Sequence, residues 1–182
     1  MRALFRANLP FLRFLGVFFG SYLGMSWLYD VWLDQYLQTP GQLDSFTNWA
    51  NDHVMWVLQH FDHSAKSLFV NKSSGYWIFY HGKYVARIIE GCNAMRVMIL
   101  FSAFVVAFRG PLKTSILFIS VGIFSIHLLN IGRIAALSIA LSRFPEFETA
   151  LHDIAFPLFI YGCVFILWIV WVNKWAYGIR KN

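Results

Sequence analysis

The chain has 182 residues, of which 58% are hydrophobic and 19% aromatic, whereas only 13% are charged. A soluble domain normally carries about 25% charged residues, so the composition excludes an ordinary soluble domain and indicates a membrane protein. The formal net charge is +6. Because the basic residues cluster beside apolar runs, we attribute this charge to membrane topology and expect no nucleic-acid partner.

Apolar runs predict four transmembrane helices. The first covers about residues 11–33, and because no A-x-A cleavage site follows it, we expect it to remain uncleaved. Three more are expected over about residues 92–108, 112–141 and 150–172. The sequence therefore predicts a mainly α fold, a single polytopic membrane domain over residues 1–182.

The segment 34–91, between the first two spans, has two predicted parts. Apolar residues recur at helical spacing over residues 43–61, with Asp, Asn and Gln between them, which predicts an amphipathic helix at the membrane surface. Aromatic and β-branched runs over residues 67–70, 76–80 and 84–89 then predict a small β-meander.

Basic residues set the expected orientation, because positive charge is retained on the cytoplasmic side of a membrane. They fall at alternate ends of the four spans, so one assignment places all of them in the cytoplasm: Arg2, Arg6, Arg13, Arg109, Lys113, Lys174, Arg180 and Lys181. We therefore expect both termini in the cytoplasm. The segment 34–91 and the loop 142–149 are expected on the outer side.

This topology gathers three reactive residues near the outer side. Cys92 opens the second span, His152 opens the fourth, and Arg133 lies about 12 Å below the outer end of the third. A thiol at a helix N-terminus faces the positive end of the macrodipole, which favours the nucleophilic thiolate. A histidine beside it can serve as acid and base. An embedded guanidinium costs about 2.5–3.5 kcal/mol on insertion scales, so Arg133 is expected to be functional or paired.

Each of the three residues also has a structural explanation. A membrane cysteine is most often a packed small residue, and a surface histidine is most often solvated. Arg133 could form a structural pair with Glu148 or Glu90, and in an acyl-transfer site it could instead stabilise an oxyanion. Glu148 or Asp153 could orient the His152 ring.

The remaining cysteine and histidines do not predict a further site. Cys163 lies in the middle of the fourth span, too far from Cys92 for a disulfide. The other histidines lack the cysteines or carboxylates of a metal site. We expect no metal and no cofactor.

Three short strings resemble motifs of the exosortase/archaeosortase family. Residues 90–96, EGCNAMR, resemble its Glu-x-Cys-x-Gly-x-Arg motif, with Ala94 where a glycine is usual. Residues 130–134, NIGRI, resemble its Asn-x-x-Arg-Ile motif, and His152-Asp153 followed by Phe156 resembles its histidine motif. The short chain, with a single helix before the β-rich segment, is similar to compact F-type members.

The resemblance implies a membrane-embedded cysteine transpeptidase or protease, a hydrolase of the bacterial inner membrane. Its partners would be membrane lipid and exported proteins with a C-terminal sorting signal, which comprises a short motif, a transmembrane helix and a basic tail. Cys92 would be the nucleophile, His152 the acid and base, and Arg133 the electrostatic stabiliser. The candidate substrate-binding residues are Asn93, Arg96, Tyr84, Arg87 and Asn130.

Two other functions fit the same residues. In a non-catalytic membrane scaffold or assembly protein, Arg133 would merely hold helices together. A plain intramembrane cysteine protease would hydrolyse its substrate with water and would not transfer the product to an amine acceptor. A transporter is disfavoured because the sequence has no inverted repeat.

Overall fold

A computed structural model describes residues 8–37, 42–70 and 75–176 of the chain. The fold is mainly α, as the sequence predicts. In chain order its helices and strands are α1 (Leu9–Leu37), α2 (Ser45–Phe61), β1 (Lys66–Val70), β2 (Gly75–Tyr80), β3 (Lys83–Ile88), α3 (Met95–Ala107), α4 (Leu112–Arg143) and α5 (Phe156–Lys174). The basic residues Arg2, Arg6, Arg180 and Lys181 lie outside the described residues.

Three helices of the described chain are long and apolar enough to cross a membrane. They are α1, α4, and α5 together with the π-helical turn Ala150–Ala155 before it. The span expected over residues 92–108 is different, because its α-helix, α3, has only 13 residues. At 1.5 Å per residue α3 is about 20 Å long, shorter than the roughly 30 Å hydrocarbon core. The expected span over about residues 92–108 therefore corresponds to an apolar helix that is shorter than the other three.

The short helix α3 lies inside the bundle, where α1, α4 and α5 all pack against it. Phe101 and Val105 of α3 are fully buried, together with Trp171 of α5. Large apolar side chains on the outer faces of α1, α4 and α5 are exposed, which fits contact with lipid: Phe19, Leu23, Trp27, Leu117, Phe124, Leu158 and Phe165.

The predicted amphipathic helix is α2. Its N-terminus is capped by Asp44, whose side chain accepts a hydrogen bond from the Thr47 backbone N–H at 2.9 Å. Val54 and Leu58 are fully buried, whereas Trp56 on the opposite face is 73% exposed. The helix therefore has one face for the protein core and another that leaves aromatic side chains free for the membrane surface.

The predicted β-meander is an antiparallel sheet of order β1-β2-β3. β2 and β3 are joined by His81 and Gly82, both with positive φ, as a two-residue hairpin turn requires. Ile78 and Ile88 of the sheet are buried with Val54 of α2 and Ile134 of α4. This packing places β3 beside α4, and β3 leads directly into the turn that carries Cys92.

Candidate active site

Cys92 lies in a tight 3₁₀ turn, Glu90–Asn93, between β3 and α3. Its backbone N–H donates to the Ile89 carbonyl at 2.8 Å. Ala94 follows in the left-handed conformation, with φ 59° and ψ 12°, and the helix begins only at Met95. The expectation that Cys92 opens the helix is therefore wrong, and the macrodipole argument for its thiolate no longer applies. The left-handed backbone also explains why glycine is usual at position 94, since glycine adopts it without strain.

The turn is fixed by Asn130, a fully buried residue of α4. The Asn130 Nδ2 donates to the Cys92 carbonyl oxygen at 2.7 Å. Asn130 was predicted to bind substrate. In the structure its side chain holds the backbone of the cysteine, and substrate binding by Asn130 stays a prediction.

Cys92, Arg133 and His152 all line one cavity of about 240 Å³, which we call the cysteine cavity. The cavity lies at the end of the bundle where β3, α4 and the π-helical turn meet. Tyr84 and Arg87 of β3 also line it, as does Glu148 from the loop after α4. Six residues singled out from the sequence thus border the same space, although they come from five separate segments of the chain.

Arg133 forms no ion pair within the described residues. Its Nε is buried and has no hydrogen-bond partner there. Neither Glu148 nor Glu90 gives it the structural pairing that a purely architectural role would need. Since a buried guanidinium donor without a partner is costly, Arg133 has hydrogen-bonding capacity to offer a bound molecule.

His152 lies on the π-helical turn Ala150–Ala155 and is exposed. Its Nδ1 is 2.8 Å from Oδ1 of Asp153. Of the two carboxylates considered from the sequence, Asp153 is therefore the one that orients the ring. With Nδ1 bound to a carboxylate, Nε2 is the nitrogen left to exchange a proton with a thiol.

Asn93 and Arg96 do not line the cysteine cavity. Asn93 is buried, and its Nδ2 donates to the Tyr29 hydroxyl at 3.1 Å and to Thr47 Oγ1 at 3.2 Å. Arg96 forms a salt bridge with Asp30 of α1 at 3.0 Å. Asn93 therefore connects the turn before α3 to α1 and α2, and Arg96 connects α3 to α1.

A second cavity, also of about 240 Å³, lies on the other side of the turn and is lined by Glu90, Arg96 and Arg133. Burial, followed by the negative charge of Asp44, raises the pKa of Glu90 above its ordinary value, and Arg96 partly opposes this rise. From the sequence, Glu90 was considered as a possible partner for Arg133 and as the first residue of the cysteine motif.

Within the described residues, no group of three or more His, Cys, Asp or Glu side chains could hold a metal ion. Cys92 and Cys163 are both free, as predicted. The side chains that line the cysteine cavity include a thiol, an imidazole, a guanidinium and a carboxylate, from Cys92, His152, Arg133 and Glu148.

The helices and this cavity define a multi-pass membrane protein with a cysteine-centred site at one end of its bundle. A family model described as transmembrane exosortase matches residues 11–172, so the chain belongs to the transmembrane exosortase family. Searches of curated proteins and of solved structures find no significant match.

Proposed function

We propose that this membrane exosortase is a cysteine transpeptidase that cleaves the C-terminal sorting signal of exported proteins and transfers them to an amine acceptor. The observation that carries the proposal is the shared cavity of Cys92, Arg133 and His152. A nucleophile, a proton carrier oriented by a carboxylate, and an unpaired positive charge are the groups that acyl transfer requires.

The residues divide the reaction between them. His152 takes the proton of the Cys92 thiol, and the thiolate attacks the scissile carbonyl carbon. The oxygen of that carbonyl gains a negative charge, which Arg133 stabilises. His152 then donates its proton to the leaving amine, and the C–N bond breaks to leave a thioester on Cys92. An acceptor amine attacks the thioester, forms a new amide and releases the thiol.

The substrate is expected to carry a short motif, a transmembrane helix and a basic tail. Tyr84 and Arg87 border the cysteine cavity from β3, which favours their contact with the motif. The helix of the signal would lie in lipid beside the bundle, and its basic tail would remain in the cytoplasm. We place the protein in the bacterial inner membrane, with both termini in the cytoplasm and the site near the periplasmic face.

The test expresses a candidate substrate with the wild type or with Cys92→Ala, Arg133→Ala or His152→Ala, and follows processing by mass spectrometry. Each substitution is expected to abolish or severely reduce processing. Cys163→Ala is the matched control, since Cys163 is the other free cysteine and lies in α5, away from the cavity. Full processing by Cys92→Ala would rule out cysteine catalysis and favour the scaffold.

The mass of the product separates transfer from hydrolysis. A transpeptidase leaves an amide to the acceptor at the new C-terminus, whereas a protease leaves a free carboxylate. If the product carried a free C-terminal carboxylate whichever amine acceptor was supplied, the protein would be an intramembrane cysteine protease and not a transpeptidase.

A further inference from the structure

β3 is the edge strand of the sheet, because among the described strands it pairs with β2 alone. Every residue from Tyr84 to Ile89 lines the cysteine cavity. Successive side chains of a strand point to opposite faces of its sheet. Five of these residues, Tyr84–Ile88, belong to β3, so the cavity is bordered by the edge of the strand, where the backbone N–H and C=O groups that do not pair with β2 can bind another chain.

The opposite side of this cavity is an apolar wall. Ile134, Leu137 and Leu141 of α4 line it. Ile134 also belongs to the core cluster beneath the sheet, together with Ile78 and Ile88. A chain that lay along β3 would therefore continue the sheet and place every second side chain toward the apolar side chains of α4.

We propose that the cavity binds the substrate's extended segment as an added strand on β3, parallel to β3. This deepens the proposed function and rests on it. Such strand addition takes its affinity from main-chain hydrogen bonds and its specificity from alternate side chains. The ligand is therefore an extended peptide with apolar residues at alternate positions before its scissile bond.

The parallel direction of the substrate strand follows from the position of Cys92 after β3 and from the position of the transmembrane helix in the substrate. β3 runs toward Cys92, which is four residues beyond Ile88, the last residue of the strand. In the proposed substrate the exported part precedes the scissile bond, and the transmembrane helix follows it. When the scissile bond lies at Cys92, the preceding residues extend back along β3 toward Lys83. The two chains then run in the same direction.

Disulfide trapping measures this register without requiring catalysis. The chain has two cysteines, so Cys92→Ala with Cys163→Ala gives a cysteine-free background. Tyr84→Cys or Arg87→Cys is added, and single cysteines are placed at successive substrate positions before the scissile bond. Leu68→Cys is the matched control, because Leu68 is exposed on β1, the opposite edge of the sheet.

We expect Arg87→Cys to trap a substrate position close to the scissile bond and Tyr84→Cys to trap one about three residues further upstream. Both should give at least about tenfold more cross-linked product than Leu68→Cys, because only bound cysteines reach a high effective concentration. Processing by the wild type measures the proposed function separately. The inference would be overturned if Tyr84→Cys trapped substrate positions closer to the scissile bond than Arg87→Cys does, or if Leu68→Cys on β1 trapped as much substrate as the β3 variants. Normal processing by the wild type in the same experiments would leave the proposed function intact.

Discussion

Asn130 and Arg133 lie three positions apart on α4 and therefore on the same face of that helix. Asn130 holds the carbonyl of Cys92, and Arg133 lines the cavity into which the cysteine opens. One helix thus holds both the backbone of Cys92, the proposed nucleophile, and the positive charge that we propose opposes the oxyanion. The Asn-x-x-Arg spacing has a physical explanation in this shared face.

Replacing Asn130 by Ala is expected to slow processing about tenfold or more. The change leaves the partly buried Cys92 carbonyl without this partner, so the turn that carries the thiol is held less firmly. A displacement of about 1 Å of a reacting group can cost on the order of 10²-fold in rate. The measurement is the single-turnover rate of substrate cleavage. Ser138→Ala is the control, since the hydroxyl of buried Ser138 donates to the Ile134 carbonyl of its own helix. Equal rates in the two variants would remove the positioning role of Asn130.

Glu90→Gln is expected to make the protein more stable than the wild type at neutral pH. The folded state raises the pKa of Glu90, so protonation of Glu90 favours folding. That contribution is fully present below the unfolded pKa and is lost as pH rises through the folded pKa. Gln does not ionise and avoids this loss. Thermal unfolding in detergent at acidic and neutral pH checks this: the midpoint of the variant should exceed that of the wild type at neutral pH alone. An equal increase at both pH values would contradict the raised pKa of Glu90.

At the scale of elements, the packing of α3 against α4 depends on one glycine. A Cβ at Gly122 would lie 2.3 Å from ring atoms of Phe101, which is fully buried in α3. Gly132 is on the same helix, and a Cβ there would meet nothing within 4 Å. The close approach of the two helices therefore requires glycine at position 122 and not at position 132.

Gly122→Ala is expected to destabilise the protein by about 1–3 kcal/mol, the usual cost of overpacking a core. Gly132→Ala is expected to be neutral or to stabilise the helix by about 0.5–1 kcal/mol, because alanine loses less backbone entropy than glycine. The midpoint of thermal unfolding of the two purified variants checks this. A similar shift for both variants would show that Phe101 moves aside without cost.

The elements that the sequence predicted well are those with a clear local period. The amphipathic pattern of α2 and the alternating aromatic runs of the sheet both appear close to their predicted bounds. The turn before α3 was missed, because an alanine does not by itself indicate a left-handed residue. The glycine that the resembled motif has at position 94 was the available signal. The structural contacts of Asn93 and Arg96 were missed for another reason. Their partners, Tyr29 and Asp30, are more than sixty residues away in the chain, beyond the reach of any local pattern.

Across the whole molecule, the cysteine cavity and one group of basic residues lie at opposite ends of the bundle. The cysteine cavity is at the end formed by the sheet and the start of α3. At the other end, Phe14 contacts Phe108 with ring centroids 4.4 Å apart, and Trp171 donates to the Phe108 carbonyl at 3.1 Å. These contacts bring together the segments that carry four basic residues: Arg13, Arg109, Lys113 and Lys174. The other basic residues of the described chain lie on the sheet, on α3 or on α4: Lys66, Lys83, Arg87, Arg96, Arg133 and Arg143.

This arrangement predicts which side of the membrane each end faces, since basic loops stay in the cytoplasm. In a background with Cys92→Ala and Cys163→Ala, His63→Cys should react with a membrane-impermeant maleimide in intact spheroplasts. Arg109→Cys should react only after the membrane is permeabilised. Both positions are exposed in the structure, so a difference in labelling reports sidedness and not burial. The reverse pattern would place the cysteine cavity in the cytoplasm, where it could not meet a substrate segment that has already been exported.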